Sequence, residues 1–360
     1  MRLSLNVINT RFNGVVLWRG ASLINGKPIV VIATGLERGS LNTKTGKFIQ
    51  TYILSDGGER PTDALTSGKD ESVCGDCIHR KKDGWGTCYV NVGQGPNQVY
   101  AAYMRGSYPD FTPDMLDDYF AGNIVRLGAY GDPAAVPMQI WQMLCGVARG
   151  WTGYTHQWRK CDPELRHFVM ASVESVQQQR KARRMGWKTF RIRNDDEPLE
   201  AHEFVCPASA EAGKRLQCED CLACSGGEWN GKTVTPVIKV HGQNYKPVRF
   251  RKMQRLMRQK KQYRKLLPSL VGIGSKYGRG KGTLSVDYRK RKHSVKLRLT
   301  DAQQARLVTL LQEQGDKDSH AILKSLTPTC LSGVLGSLNG GGKDASASVL
   351  EHHKAHLECA

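Results

Sequence analysis

Apolar and polar positions along the first two thirds of the chain set up a rhythm of strands and helices. Short apolar and β-branched runs occur at PIVVIAT (28–34), FIQTYIL (48–54), NIVRLGAY (123–130), WTGYTH (151–156), HFVMASV (167–173), KTFRIR (188–193) and PVIKVHG (236–242). Each reads as a strand. Helical patterns lie between them: NQVYAAYMRG after Pro96, VPMQIWQMLCGVARG (136–150) and SVQQQRKARRMG (175–186). In the last, Ser175 is placed to cap the N-terminus and Gly186 the C-terminus. Repetition of strand, loop and helix predicts an α/β fold with a mostly parallel sheet, either a partial barrel-like body or an open doubly wound sheet. Both architectures gather functional groups on the loops that follow the C-terminal ends of the strands.

The texture changes after Tyr245. RKMQRLMRQKKQYRKLL (251–267) puts Met253, Leu256, Met257, Tyr263 and Leu267 on one side of a basic helix that Pro268 stops. Gly-rich VGIGSKYGRGKG follows as a loop, and TLSVDY and SVKLRL then flank RKRKH with period two, as a hairpin or two separate strands. Thr300 caps a helix, DAQQARLVTLLQEQ, that ends at Gly315, and Ser319 caps a shorter one, HAILKSL. The organisation expected is a cysteine-rich α/β body over 1–245, a basic β/α module over 246–330 and a flexible tail over 331–360.

Hydrophobic residues at 39% supply enough apolar material for a packed core, which excludes a wholly disordered chain. No run of 18 or more apolar residues is present, and MRLSLNVINT is not a signal-peptide pattern. The expectation is a cytoplasmic protein of a bacterial host cell, without a membrane partner.

The net charge of +20 is unevenly distributed. Residues 1–245 carry 29 basic and 25 acidic groups, 246–300 carry 19 and 1, and 301–360 carry 5 and 7. The body is therefore nearly neutral, and the positive charge belongs to the basic module. Such a block, interleaved with Tyr245, Phe250, Tyr263, Tyr277 and Tyr288, points to nucleic acid, DNA above all. The candidate contacts are Arg249, Arg251, Lys252, Arg255, Arg258, Lys260, Lys261, Arg289, Lys290, Arg291, Lys292, Lys296 and Arg298. An anionic lipid surface is the rival partner for a basic amphipathic helix; the Gly-rich and strand-like neighbours favour nucleic acid.

Seven of the 11 cysteines fall into two groups. In a cytoplasmic chain, clustered thiols point to metal rather than to disulfides. Cys206, Cys218, Cys221 and Cys224 form the denser group. Three thiolates at two-residue spacing suit the corners of an iron–sulfur cluster, or two of them with Cys206 and one outside ligand complete a tetrahedral zinc. Cys74, Cys77 and Cys88 form the other group, with His79 adjacent. Three protein ligands with one open position is how reactive metal sites are built; closure by His79 or by a cysteine of the second group would make a structural zinc knuckle. Gly131-Asp132-Pro133, His156 and His241 fall just past strand ends and are candidates for cofactor binding, outside ligation or acid–base work. Cys145, Cys161, Cys330 and Cys359 stand apart and read as incidental thiols.

Several strings taken together resemble a domain of unknown function found in phage and prophage proteins. They are NTKTGKFIQTYIL, CGDC…CYVNVGQGP, RLGAYGDPAAVP, WTGYTHQW, GWKTFRIR and CPASAEAG…CEDCLAC, covering roughly residues 15–245. The chain is also distantly similar to the phage gene-product-eighty-eight family, through an Asn-x-Lys-x-Gly stretch followed by cysteines ending in Cys88-Tyr89. A looser resemblance is to radical S-adenosylmethionine enzymes, partial barrels with three cluster-binding cysteines after the first strand. That likeness implies an iron–sulfur cluster on Cys74, Cys77 and Cys88, S-adenosylmethionine held near Gly131-Asp132, and an auxiliary cluster on the second group. The spacing differs from that family's, and Asp132 stands where the family has Glu. Residues 294–326 resemble the ribbon–helix–helix fold of small dimeric DNA-binding proteins, which implies a homodimer whose strand pairs with its twin and presents Ser294, Lys296 and Arg298 to DNA.

Two functions follow as expectations. One is a phage-type enzyme with an iron–sulfur or zinc site on an α/β body, acting on nucleic acid brought by the basic module. The other is a non-enzymatic DNA-binding protein whose zinc sites only staple its loops.

Overall fold

In the computed structural model the described residues are 12–39, 46–82 and 84–255, the strands at 282–287 and 294–299, and Thr309 and Gln312. The chain divides into two compact units, Met1–Arg255 and Leu256–Ala360.

The first unit is an α/β structure on a nine-stranded sheet in the order β1-β2-β3-β4-β5-β6-β7-β9-β8. β1 (Gly14–Ala21), β2 (Pro28–Thr34) and β3 (Ile49–Ser55) form an antiparallel meander. From β3 onward every pairing is parallel, through β4 (Ile124–Tyr130), β5 (Gly150–Thr155), β6 (Met170–Val173), β7 (Thr189–Arg193) and β9 (Thr235–Lys239), with β8 (Glu203–Val205) beyond β9. From β3 to β7 each strand lies beside its predecessor and the order never turns back. A doubly wound sheet reverses at a switch point; steady progression is the order of a barrel wall. Here the wall is open, with β1 and β8 at its edges.

The strands form where apolar side chains run together. Ile29 to Ala33 are all fully buried, so β2 is covered on both faces. Helices occupy the crossovers. α1 (Pro61–Ser67), α2 (Glu71–Cys74) and α3 (Gly95–Met104) follow β3 and pack on it. α4 (Met138–Val147) packs on β4, burying Trp141 and Leu144, and α5 (Val176–Arg184) packs on β6 and β7. Ser175 caps α5 through its Oγ, which accepts from Gln178 N at 3.2 Å, and Gly186 follows its end with φ +84°.

Seven strands fall at the positions the hydrophobic pattern marks. The structure adds β1 and β8, and it shortens the sixth: the stretch expected as strand from His167 opens as a 3₁₀ turn over Pro163–His167, and the strand starts at Met170. The basic helix also begins earlier than its periodicity implied, at 245 (α7, described over 245–255). Its described part therefore belongs to the first unit, where Phe250, Met253 and Gln254 are buried.

In the second unit β10 (Gly282–Asp287) and β11 (Ser294–Leu299) pair antiparallel, in register from Gly282 opposite Leu299 to Asp287 opposite Ser294. The hairpin arrangement is thus the one found. β11 takes β10 as its partner within the chain, where the ribbon–helix–helix likeness implied a twin. Arg258, Lys260, Lys261, Arg289, Lys290, Arg291 and Lys292, the two helices expected after Thr300 and the tail lie outside the described residues, apart from Thr309 and Gln312, both helical.

Candidate metal centre

The loops that leave the C-terminal ends of the parallel strands converge on one place. β3 is followed by the segment holding Cys74, Cys77, His79 and Cys88, β4 by Asp132, β5 by His156, β6 by Glu174 and β7 by Asn194.

The first of these segments is held by a buried clamp. Arg80 donates from Nε and Nη2 to the two oxygens of Asp70 at 2.9 and 2.6 Å, and to the carbonyls of Gly75 and Gly68 at 2.9 and 2.8 Å. Asp70 is fully buried and this pairing satisfies its charge. The loop is thereby folded back on itself, with Cys74 and Cys77 between the clamp's two residues. Gly75 has φ +58°, and a Cβ there would meet the Gln157 amide at 2.5 Å; only glycine fits. That same amide donates to Cys74 O at 3.2 Å and ties the loop after β5 to the thiol loop.

Cys74, Cys77 and Cys88 lie near enough to act on one another electrostatically, although their sulfurs are not all within 4.8 Å of one another. Burial pushes all three up from the ordinary thiol value. Backbone N–H groups of His79 and Val90 point at Cys77 and Cys88. Neutral thiols in a desolvated pocket, with N–H groups already aimed at sulfur, are a donor set for a thiophilic metal, which would displace their protons. None of the described cysteines is in a disulfide.

Beside this group the side chains of His79, His156 and Glu174 meet, each offering a ligand atom within 4.8 Å of the others. His79 Nε2 lies 3.5 Å and His156 Nε2 3.7 Å from the same oxygen, Glu174 Oε1. Both nitrogens are buried and make no hydrogen bond among the described residues. His79 Nδ1 lies 2.6 Å from Thr87 Oγ1, which fixes the ring's orientation and leaves Nε2 facing Glu174. Burial, and then the neighbouring His79, push the His156 imidazole down to about 4, so it is neutral near pH 7. Burial works to raise the Glu174 carboxyl, but the close approach and charge of His79, with His156 and Arg159 behind, outweigh it and hold it below the ordinary value.

Helix α7 covers this group. Phe250 stacks on His79 with ring centroids 6.0 Å apart and planes 7° apart. Gln254 Nε2 donates to Glu174 O at 2.7 Å, and the Asn194 amide donates to Gln254 Oε1. The other side of the helix is exposed and carries Arg249, Arg251, Lys252 and Arg255. Arg249 stacks on Tyr245 and Arg251 lies 3.5 Å from Asp195.

The remaining candidates have other surroundings. Gly131 has φ +84°, and a Cβ there would lie 2.6 Å from Ile53 Cβ, so close approach to β3 accounts for the glycine. Asp132 is buried, and its carboxylate accepts from Ala134 N at 3.0 Å, from His156 N at 2.7 Å and from the Thr155 hydroxyl. These bonds position His156 and engage the oxygens within the fold. His241 is exposed, its ring 6.1 Å from Tyr89. It stands outside the group that joins His79, His156 and Glu174. Glu174 is the ligand the sequence reading missed. Its signal was a carboxylate one residue past a strand end, the same position that singled out His156.

The second cysteine group also comes together. Cys206, Cys218, Cys221 and Cys224 line one small cavity with Thr152 and Pro236. Cys218 and Cys221 flank a single turn, α6 (Cys218–Cys221). Comparison with protein-family models, curated proteins and solved structures gives no match to this chain.

Proposed function

We propose that this chain is a metal-dependent enzyme acting on nucleic acid. A divalent ion is held by His79, His156 and Glu174, and Cys74, Cys77 and Cys88 bind a second centre beside it, zinc or an iron–sulfur cluster. One observation carries the reading: two buried imidazole nitrogens without hydrogen-bond partners face one oxygen of a buried carboxylate. Left so, each nitrogen costs about 1–3 kcal/mol of desolvation, which a bound cation would recover.

Two imidazoles and one carboxylate leave coordination positions for water or substrate, as catalytic rather than closed structural sites do. When bound, such an ion lowers the pKa of its water or polarises a substrate oxygen. The chain's own residues orient and enclose it. Thr87 and Phe250 hold the His79 ring, Asp132 holds the His156 backbone, and α7 excludes water from one side.

Support for nucleic acid comes from continuity. The segment that carries 19 of the 53 basic groups, 246–300, starts on α7, the helix that covers the site. Cationic side chains bind the phosphate backbone without regard to sequence. A substrate held by the exposed Arg249, Arg251, Lys252 and Arg255 of α7 would lie against the helix that covers the metal.

The test is metal binding and turnover in the full chain. Equilibrium dialysis against zinc, manganese or iron(II) should show one equivalent missing from Glu174→Gln and from His156→Ala, with thiol-bound metal retained. Labelled DNA and RNA should be chemically altered by the wild type and not by Glu174→Gln. Equal metal content in wild type and Glu174→Gln would overturn the site. Nucleic acid bound but unaltered with every metal would overturn the enzyme and leave a binding protein with structural zinc.

A further inference from the structure

The four-cysteine cavity lies on a different part of the sheet, and it has a cation facing it. Arg126 on β4 is in register with Thr152 on β5, which lines the cavity. Tyr154, two residues on, shares that face of the sheet, and its hydroxyl bonds to the Cys224 sulfur. Arg126 donates from Nη2 to Tyr89 Oη at 2.8 Å, while its Nε is buried without a partner. The groups that act on its charge are phenols and thiols: Tyr89, Tyr154, Cys218 and Cys224. Among the described residues this guanidinium has no carboxylate beside it, the ordinary companion of a buried one.

The loop carrying the thiols is anchored at both ends and strained in the middle. Cys206 N donates to Val237 O at 2.9 Å, and Gly153 N donates to Cys224 O at 3.2 Å, which pins the two outer cysteines to β9 and β5. Between them Leu222 takes φ +45°, a left-handed conformation that costs a non-glycine residue about 1–2 kcal/mol. That turn brings Cys224 back towards Cys218 and Cys221. Phe190, Ile192 and Ile238 pack against Cys206 and Cys218 and exclude water.

We propose that Cys206, Cys218, Cys221 and Cys224 hold a thiolate-ligated metal centre on this face of the sheet, and that Arg126 is its counter-cation. Four thiolates around a divalent ion carry two net negative charges, as do four thiolates on a cluster core of the same charge. This is the anion that the Arg126 guanidinium, with its Nε unsatisfied among the described residues, faces. Arg126 touches no metal; it is a positioning residue that stabilises the charged thiolates and, through Tyr89, links them to the segment of Cys88. The assignment stands apart from the His79, His156 and Glu174 site and survives that site's failure.

The test uses the full chain, purified without oxygen, with metal and acid-labile sulfide measured and the thiolate-to-metal absorption recorded. Cys221→Ser should lose that centre's metal while Glu174→Gln keeps it. Arg126→Met should release the metal to a chelator about tenfold faster, the scale of a lost supporting contact at a metal site, and Arg126→Lys should restore much of the difference. Tyr154→Phe, which removes only a hydroxyl, gives a second reading through a shift of the absorption band if Arg126→Met does not fold. Unchanged metal content in Cys221→Ser overturns the centre. Release from Arg126→Met at the wild-type rate, or an unmoved band in Tyr154→Phe, overturns the electrostatic role. Sulfide with iron identifies a cluster, and zinc alone a single ion; either supports the proposal.

Discussion

Phe250→Ala is the sharpest probe of how the basic segment joins the body. The ring is fully buried and stacks on His79, between neighbours Arg249 and Arg251 that are exposed. Truncating a buried Phe to Ala costs about 3–5 kcal/mol in transfer and cavity energy together. Against a total stability of about 5–15 kcal/mol, that is a large fraction. In a body of this size each kcal/mol moves Tm by about 2–4 °C, so a fall of roughly 10 °C is expected. Thermal and urea unfolding followed by circular dichroism measure it. Phe250→Leu, which retains most of the apolar volume, should lose less than half as much. The variant should also bind metal more weakly at His79, because the ring that holds the imidazole in place is gone. A stability loss under about 1 kcal/mol would refute the reasoning, since it would make α7 an appendage rather than a cover on the core.

Other outcomes follow from charges the fold encloses. Burial raises the Asp132 carboxyl from 3.8 to about 6. Between those values the folded chain retains a proton on Asp132 that the unfolded chain releases, so this group's contribution falls as pH rises through that window, by on the order of 2–3 kcal/mol. The trend of His156, whose imidazole is held down to about 4, is the opposite. Asp132→Asn should therefore make stability rise more steeply with pH in urea titrations at pH 4 to 7, and an unchanged slope would count against it. Arg191 is fully buried and pairs with Glu203 at 2.7 Å through both Nε and Nη2. Arg191→Met should cost about 3–5 kcal/mol by stranding the carboxylate, and adding Glu203→Leu should recover much of it; a single variant within 1 kcal/mol of wild type would show that the carboxylate finds water. For nucleic acid, neutralising eight phosphates gives a log–log salt slope of about −7. A chain ending at Arg255 should fold and lose most of that slope, whereas undiminished binding would place the contacts on the body.

The parallel strands were legible because each is a short run of apolar residues between turn signals, as PIVVIAT illustrates. β8 was not, since three residues, Glu203–Val205, are too few for an alternation to register. β1 escaped because only its first half is buried. The start of α7 was hidden by Pro247, which reads as a break although the first turn of a helix accepts proline. At the candidate site the cysteines and His156 announced themselves by residue type and position. Glu174 did not, because an acidic residue before a helix cap is ordinary on its own. What joins it to His79 and His156 is the sequential strand order, which sets neighbouring strand ends side by side, and that is a property of pairing rather than of any local segment.

The same order governs when the site can exist. The β1–β2–β3 meander pairs strands close in sequence, but the groups meeting at the metal site are drawn from 79 to 254. Contacts of such long separation form late, after the loops between them have closed. A metal ion at His79, His156 and Glu174 therefore cannot seed this fold in the way it seeds a small zinc-dependent domain. It can only reward the finished structure, slowing unfolding once strands β3 to β9 and the cover of α7 are in place.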